Sequence, residues 1–432
     1  MKTRQAPLSD DALHKLQSAA IGYFLNETNP ANGLVPDNTR TGAPASIASV
    51  GLGLTTYPIG VERRFLPRDD AIKRTLTALR WFSSSPQGEG PDATGYKGFY
   101  YHFLDMQTGR RSGDSEVSTI DTAYLLAGAL TCALYFDRDT PDEREIRAQA
   151  DALYRRADWQ WALNGGLTVS MGWKPESGFL ASRWEGYSEA LILYVLGLGS
   201  PTFPLPADSY TAWTRTYCWK TLYDFSFLYA GPLFIHQLSH LWIDFRGIQD
   251  EYMRKRGIDY FENSRRATYI QREYAFRNPG QYKGYNENCW GITASEGPGP
   301  AVRKIDGVER HFHGYMARKI PDGPDDGTIS PWAAAASLPF APEIVLPSLQ
   351  YIAVTYPEMS SNYGLKCSFN PTFSVGGANK SGWICDDTYA LAEGPVVLMI
   401  ENYLSGFLWR LTRKCPYFIE GLRRAGFNKG WL

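Results

Sequence analysis

Carboxyl side chains set beside aromatic and glycine residues are where chemistry can be read in this sequence, and Glu189 leads them. It stands in MGWKPESGFLASRWEGYSEALILYVLGLGSPTFP, residues 171–204, where a polar, aromatic loop gives way to an apolar run. The pattern predicts a helix from Ser188-Glu189 through Leu191, Ile192, Tyr194, Val195 and Leu198, stopping at Gly199 with Pro201 just beyond. Ser188 is then the N-cap, and Glu189 meets the unpaired N–H groups of the first turn. An ordinary first-turn glutamate would only help the cap. A carboxyl at the mouth of an otherwise buried helix can also serve as a catalytic acid.

Other acids share this setting. Asp114 and Glu116 lead into a segment carrying Asp121, whose flanks Ile120, Ala123 and Leu125 are apolar. An unpaired buried carboxylate is costly, so Asp121 is expected to be paired or to work in a polar cavity. Glu185 and Glu189 frame Gly186-Tyr187; Glu287 and Glu296 lie in the irregular loop GQYKGYNENCWGITASEGPGP. Asp386 and Asp387 lie in SGWICDDTYALAEGP, ahead of Glu393. Two carboxyls across a sugar-sized cleft are what glycoside hydrolysis needs, one protonated donor and one ionised base or nucleophile. Each site alone reads equally as a surface carboxylate or a helix cap.

The elements that must position these acids are helical. DDALHKLQSAAIGYFLNE forms a first helix, and the loop ANGLVPDNTRTGAPAS after it carries Asp37. SIASVGLGLTTYPIGVE, VSTIDTAYLLAGALTCALYF, EALILYVLGLG and GPVVLMIENYLSG are apolar nearly all round, as buried inner helices are. RDDAIKRTLTALRWFSSS, TPDEREIRAQADALYRRADWQWAL, FENSRRATYIQREYAF and CPYFIEGLRRAG each have a charged face, which suits an outer position. Between them, residues 83–116 form a long loop around an aromatic hairpin, and loops of that length are usually functional. The alternation suggests an all-α fold, an (α/α)6 barrel or toroid of about ten to twelve helices. Long loops and short β-hairpins would crowd its cleft end. An irregular helical bundle would show the same periodicity. No linker divides the 432 residues, so one catalytic domain over residues 1–432 is expected.

Composition narrows the partners. Lys+Arg 44 against Asp+Glu 45 gives a formal net charge of -1, which offers nucleic acid or an anionic membrane no attraction. Aromatic residues make up 14%, with 13 Trp and 27 Tyr, many of them in loops where flat faces suit sugars. The six cysteines are scattered without a CxxC pair, as buried thiols in a reducing compartment are. Met1-Lys2-Thr3-Arg4 opens no apolar stretch, and no run reaches the ~18–20 residues of a membrane span. The expectation is a cytoplasmic protein as written, periplasmic if a leader was removed. His236 and His240 in HQLSH have zinc-helix spacing, but Gln237 stands where a metalloprotease has Glu. Histidines hydrogen-bonded near Asp244 and Arg246 fit better, and neither metal nor cofactor is expected. DDTY at Asp386 lacks the second acid cluster that a Mg²⁺-diphosphate site needs.

Six segments together resemble the bacterial glycoamylase-like proteins, which include the endo-β-1,2-glucanases of glycoside hydrolase family 144. They are ASIASVGLGLTTYPIGVE, GFYYHFLDMQTGRR with SEVSTIDTAYLLAGAL, MGWKPESGFLASRWEGYSEALILYVLGLGSPT, GPLFIHQLSHLWIDFRGIQD, CWGITASEGPGP, and SGWICDDTYALAEGPVVLMIENYLSG. The resemblance implies an (α/α)6 barrel with a cleft at one end and hydrolysis of β-glucan, notably β-1,2-linked glucan or glucooligosaccharides. It marks Glu189 as the general acid. Hydrolytic relatives point to Asp386 or Asp387 as the second carboxyl, and the transglycosylating domains of cyclic glucan synthases point to Glu296. Glu stands at 296 where the family commonly has Asp, which leaves retention and inversion both open. Asp121, Glu116, Trp184, Tyr187, Tyr285, Trp290 and Trp383 match substrate-binding positions, and Arg246 and His236 are added as polar contacts to the sugar. Three rival readings remain: a β-1,2-glucan transglycosylase, a polysaccharide lyase using Tyr187 or His236 as base, and a non-catalytic sugar-binding protein.

Overall fold

The computed structural model describes residues 9–375 and 380–432; the Met1–Arg4 stretch read for a leader lies outside the described residues. The chain divides into two compact units, each assembled from separate stretches. The first comprises Met1–Gly22, Trp219–Leu238 and Phe261–Ser405; the second comprises Tyr23–Cys218, Ser239–Tyr260 and Gly406–Leu432.

Inner and outer helices are both present in the second unit. Ile47–Glu62 is buried from Ile47 to Gly60, and Thr119–Tyr135 is buried over almost its whole length. These two helices meet backbone to backbone. A Cβ on Gly51 would lie 2.2 Å from the Tyr124 carbonyl oxygen, and one on Gly128 would lie 2.1 Å from that of Gly51. Glycine is therefore needed at both positions, which explains the Gly-punctuated sequence of these helices. Arg68–Ser84 and Pro141–Arg156 bury only one stripe each, Ile72, Leu76 and Leu79 on one and Ile146, Ala150 and Leu153 on the other. Across their polar flanks Arg68 grips Glu143 with two hydrogen bonds, Nε to Oε1 at 2.9 Å and Nη2 to Oε2 at 2.8 Å. The apolar helix Leu191–Gly199 is fully buried and packs on Pro416–Arg424.

A five-stranded antiparallel sheet lies in the same unit, formed by Gly95–Tyr96, Phe99–Tyr101, Val117–Ser118, Gly172–Lys174 and Gly178–Phe179 in that order. Its strands are two or three residues long, so it serves to join loops and adds little to the core. The long loop of residues 83–116 is thus ordered by its aromatic hairpin, which supplies the first two strands.

The first unit pairs helices with short hairpins. Gln17, on the N-terminal helix Asp10–Asn26, donates to the Val397 carbonyl at 3.1 Å and to Glu401 Oε2 at 3.0 Å on the buried helix Ala390–Leu404. An ion pair with both side chains 0% exposed, Arg318–Asp326, organises the hairpins. Arg318 donates to both Asp326 oxygens at 2.7 and 2.8 Å, to the Ser295 carbonyl at 2.8 Å and to the His313 carbonyl at 3.1 Å. Each charge is buried, but its hydrogen-bonding positions are filled, which is the condition for such a pair to be tolerated. Helices Ala207–Thr214, Glu251–Arg256, Pro331–Ala336, Pro342–Thr355 and Phe407–Thr412 add to those read from the sequence. They are short or contain proline, and short or interrupted helices carry little periodic signal.

The glycine crossing gives a direct test. Gly128→Ala forces the two inner helices apart and should cost about 1–3 kcal/mol in urea unfolding. Unchanged stability would mean that the contact does not constrain the helices.

Candidate active site

Two strand-to-helix junctions of the same form create the site in the second unit. Ser46 ends a strand, caps the helix Ile47–Glu62, and accepts from the Ser49 N–H. Ser118 ends another strand, caps Thr119–Tyr135, and accepts from the Asp121 N–H. His102 lies between the strands Phe99–Tyr101 and Phe103–Leu104, which pair with these two junctions. Its N–H donates to the Glu116 carbonyl at 2.8 Å, and its carbonyl accepts from the Ile47 N–H at 3.3 Å. The loop carrying Asp37 joins the same edge: Asp37 N–H donates to the Pro44 carbonyl at 2.8 Å and Ser46 N–H to that of Val35 at 3.1 Å. Local chain geometry therefore collects Asp37, His102, Glu116 and Asp121.

The side chains of this group are linked. His102 Nδ1 lies 3.1 Å from Glu116 Oε1, and its Nε2 lies 3.7 Å from Asp121 Oδ2. The imidazole stacks on Phe103 with centroids 4.0 Å apart and planes 14° from parallel. Ser118 Oγ donates to Asp121 Oδ2 at 2.5 Å, and Asn38 donates to Asp37 Oδ2 at 2.9 Å. Burial alone would lower the His102 pKa, but the negative charge of Asp121 and the hydrogen bond and charge of Glu116 raise it to about 9. Burial works to raise the Glu116 carboxyl, yet the His102 hydrogen bond and charge outweigh it and hold it below its usual range. Burial pushes the Asp37 carboxyl up. Asp121 is thus buried and paired, as its apolar flanks required.

Glu189 belongs to the same neighbourhood through Asp121. Its helix starts later than the sequence suggests: Leu191–Gly199 is helical, and Ser188 to Ala190 form the turn before it. Ser188 is not the N-cap, although its hydroxyl accepts from the Ala190 N–H at 3.4 Å. Ser239 takes the capping role from elsewhere in the chain. Its hydroxyl donates to the Glu189 carbonyl at 3.0 Å and accepts from the Ile192 N–H at 3.1 Å, satisfying an otherwise free donor. The Glu189 carboxyl is enclosed although the residue keeps part of its surface in solvent. Burial first, with the negative charge of Asp121 adding to it, raises the pKa to about 7. Tyr124 completes the group: burial, Glu189 and Asp121 push its phenol well above the usual value, and its hydroxyl has no protein partner among the described residues.

The remaining expected site residues divide sharply. Glu296, in the first unit, is half-buried and accepts from the Tyr389 hydroxyl at 2.8 Å. Tyr315, missed in the sequence, stacks on Tyr389 with centroids 6.2 Å apart and is 57% exposed. Asp387 is half-buried, whereas the Asp386 side chain is 92% exposed and pairs with Lys366 at 3.3 Å. Trp383 and Tyr187 are half-buried. Trp290 does not: at 0% exposure it is a core residue, so it cannot act as a sugar platform in this structure. Tyr285 and Trp184 are also buried, their polar edges donating to Asp325 Oδ1 at 2.8 Å and Thr119 Oγ1 at 3.0 Å.

His236 is 1% exposed, with Nε2 3.2 Å from the Ala230 carbonyl, and burial takes its pKa down to about 4. That burial removes it as a sugar contact and as a lyase base. The HQLSH segment forms two short 3₁₀ turns instead of the α-helix a zinc motif needs. Among the described residues no group of three or more His, Cys, Asp or Glu could hold a metal ion. Arg246 forks onto Asp244 at 2.8 and 2.7 Å and lies over Trp409, so its charge is engaged within the protein. None of the six cysteines forms a disulfide, and five of them are buried. No described helix is long and apolar enough to cross a membrane.

His102 and Asp37 were not singled out as site residues. The signal for His102 was present in GFYYHFLD: a lone histidine within an aromatic hairpin, directly ahead of a loop rich in acids. What places it beside Glu116 is strand register, which short strands do not announce.

Comparison with known proteins identifies the family and the fold. The glycoamylase family model, described as "putative glucoamylase", matches residues 181–416. A Bacteroides uniformis structure described in the same words is 31% identical, covers 99% of this chain and 100% of its own, and superposes with a TM-score of 0.85. The endo-β-1,2-glucanase of Chitinophaga pinensis, solved with sophorotriose and glucose, is 26% identical over 98% of this chain and 100% of its own, with a TM-score of 0.86. A curated relative from Parabacteroides distasonis, an exo β-1,2-glucooligosaccharide sophorohydrolase (non-reducing end), is 26% identical over 97% of this chain. The chain spans 58% of that relative's length. The fold is of the all-α helical-barrel class expected from the sequence. With a family match across more than half its residues and a full-length relative above 30% identity, the chain belongs to the glycoamylase family.

Proposed function

We propose that this protein is a glycoside hydrolase acting on β-1,2-linked glucan or glucooligosaccharides, with Glu189 as its general acid. The observation that carries the reading is the Glu189 carboxyl, kept protonated near neutral pH by burial and by the Asp121 charge. A carboxyl that holds its proton at the pH of use can deliver it to a departing glycosidic oxygen. The linkage follows from the two relatives whose own substrates are β-1,2-linked. Exposed or half-exposed Tyr187, Tyr315 and Trp383 supply faces on which a sugar can stack. For the second carboxyl the reading favours Asp387 or Glu296 over Asp386, since a side chain that is 92% exposed and ion-paired has no enclosed site in which to act.

Three measurements test the reading. Glu189→Gln keeps the shape and removes the proton, so turnover of β-1,2-glucooligosaccharides should fall by about 10²–10⁴; near-normal turnover sinks the assignment. In the wild type, kcat should decline as pH rises through about 7, the pH at which Glu189 loses its proton. Asp386→Asn should leave kcat within about threefold of wild type, as expected for an exposed pair.

The same protonation has a stability consequence. The folded carboxyl binds its proton up to about pH 7, against an ordinary value of 4.5, so its contribution is full below 4.5 and is lost as pH rises to 7. Glu189→Gln removes that loss. Relative to wild type it should gain about 1–3 kcal/mol in denaturant unfolding at pH 8 over pH 4. An equal difference at both pH values would mean that Glu189 titrates normally.

A further inference from the structure

We propose that His102 is a positioning residue of the acid cluster: its ring, held between Glu116 and Asp121 and stacked on Phe103, supplies a positive charge that offsets the two carboxylates. This rests on the reading of Glu189 as the acid.

The geometry suits a cationic ring. One nitrogen faces Glu116 Oε1 at 3.1 Å and the other faces Asp121 Oδ2 at 3.7 Å. A neutral imidazole would point a lone pair at one of these oxygens, and only the doubly protonated form presents N–H to both. The ring cannot easily turn away. It is stacked on Phe103, and the backbone on either side of it is hydrogen-bonded to both helix junctions. The groups that face this cluster have also been identified: Asp37, Glu116 and Asp121 act on His102, Arg40 acts on Asp37, and Lys174 acts on Glu116. Arg40 is an exposed side chain and Lys174 an end-on partner of Asp114, so neither sits between the two carboxylates as the imidazole does.

The consequence reaches Glu189 through Asp121. Asp121 receives the Ser118 hydroxyl, lies in the first turn of Thr119–Tyr135, and faces the imidazole. Its negative charge in turn favours the protonated form of Glu189. Taking the cation away leaves Glu116 harder to ionise.

Two readouts test this. The first is NMR titration of the histidine ring signals in the intact protein, with His102 identified among six histidines by the signal lost in His102→Gln. A midpoint above pH 8 is expected, and a midpoint at or below 6.5 overturns the proposal. The second is the pH profile of kcat/KM on β-1,2-glucooligosaccharides. His102→Gln should displace the profile along the pH axis by about one unit; reduced amplitude with an undisplaced profile would show a merely structural role and overturn it. If His102→Gln does not fold, Glu116→Gln and Asp121→Asn take its place, each lowering the imidazole midpoint by about one unit. Should the wild type leave these sugars intact, the functional reading fails while the ring titration still decides the state of His102.

Discussion

Carboxylates cannot share a small volume unless something offsets their charge, and the segment from Asp37 to Glu189 is built around that constraint. Three acids, Asp37, Glu116 and Asp121, converge on one imidazole, and a fourth, Glu189, feels the field of Asp121. The offset comes from three sources. His102 provides a full charge, Ser118 and Asn38 provide hydroxyl and amide donors, and the start of Thr119–Tyr135 provides free N–H groups. None of these is interchangeable with bulk solvent, because the groups they serve are mostly withdrawn from it. The same problem arises in the first unit at Asp326, and there a single guanidinium meets it, with Arg318 filling both carboxylate oxygens and pinning three loop carbonyls besides.

The placement of the acids depends on backbone contacts that seem remote from them. Asp121 and Tyr124 lie one turn apart on a helix whose depth is set where Gly51 meets the Tyr124 carbonyl. His102 is positioned by a hydrogen bond to the first residue of the helix that carries Gly51. The two inner helices and the hairpin strands therefore form one frame: widening the glycine crossing would change the distance between His102 and Asp121. Close packing transmits such a shift because it leaves no slack to absorb it.

The helices were the legible part of the sequence. Ile47–Glu62 and Thr119–Tyr135 are apolar on every side because every side is buried, and Arg68–Ser84 and Pro141–Arg156 are striped because one side is not. Glu189, Asp121 and Glu116 were legible as acids in apolar or aromatic company, and the structure brings these three into one unit. The partner of Glu116 and Asp121 was not legible, because strands two or three residues long fix it and such strands carry no detectable alternation. Trp290, Trp184, Tyr285 and His236 show the reverse case. The family resemblance marked the first three as sugar contacts and His236 was added as a polar one, but each has a body that the core could use, and all four are buried. The start of the Glu189 helix was misplaced by two residues because Ser188 resembles a cap, while Ser239, distant in sequence, does the capping.

What separates Glu189 from Asp121 is environment alone, since both are carboxyls near a helix start. Asp121 accepts a hydrogen bond from the Ser118 hydroxyl, faces the His102 ring and lies within the first helical turn. Glu189 stands two residues before its helix, where Ser239 takes the Ile192 N–H that might have served the carboxylate. Enclosure then outweighs the one backbone hydrogen bond its own N–H offers the carboxyl, and the Asp121 charge adds to the effect. A carboxyl held protonated near neutral pH beside a second whose negative charge adds to that effect is the arrangement of an acid and a charge-stabilising partner.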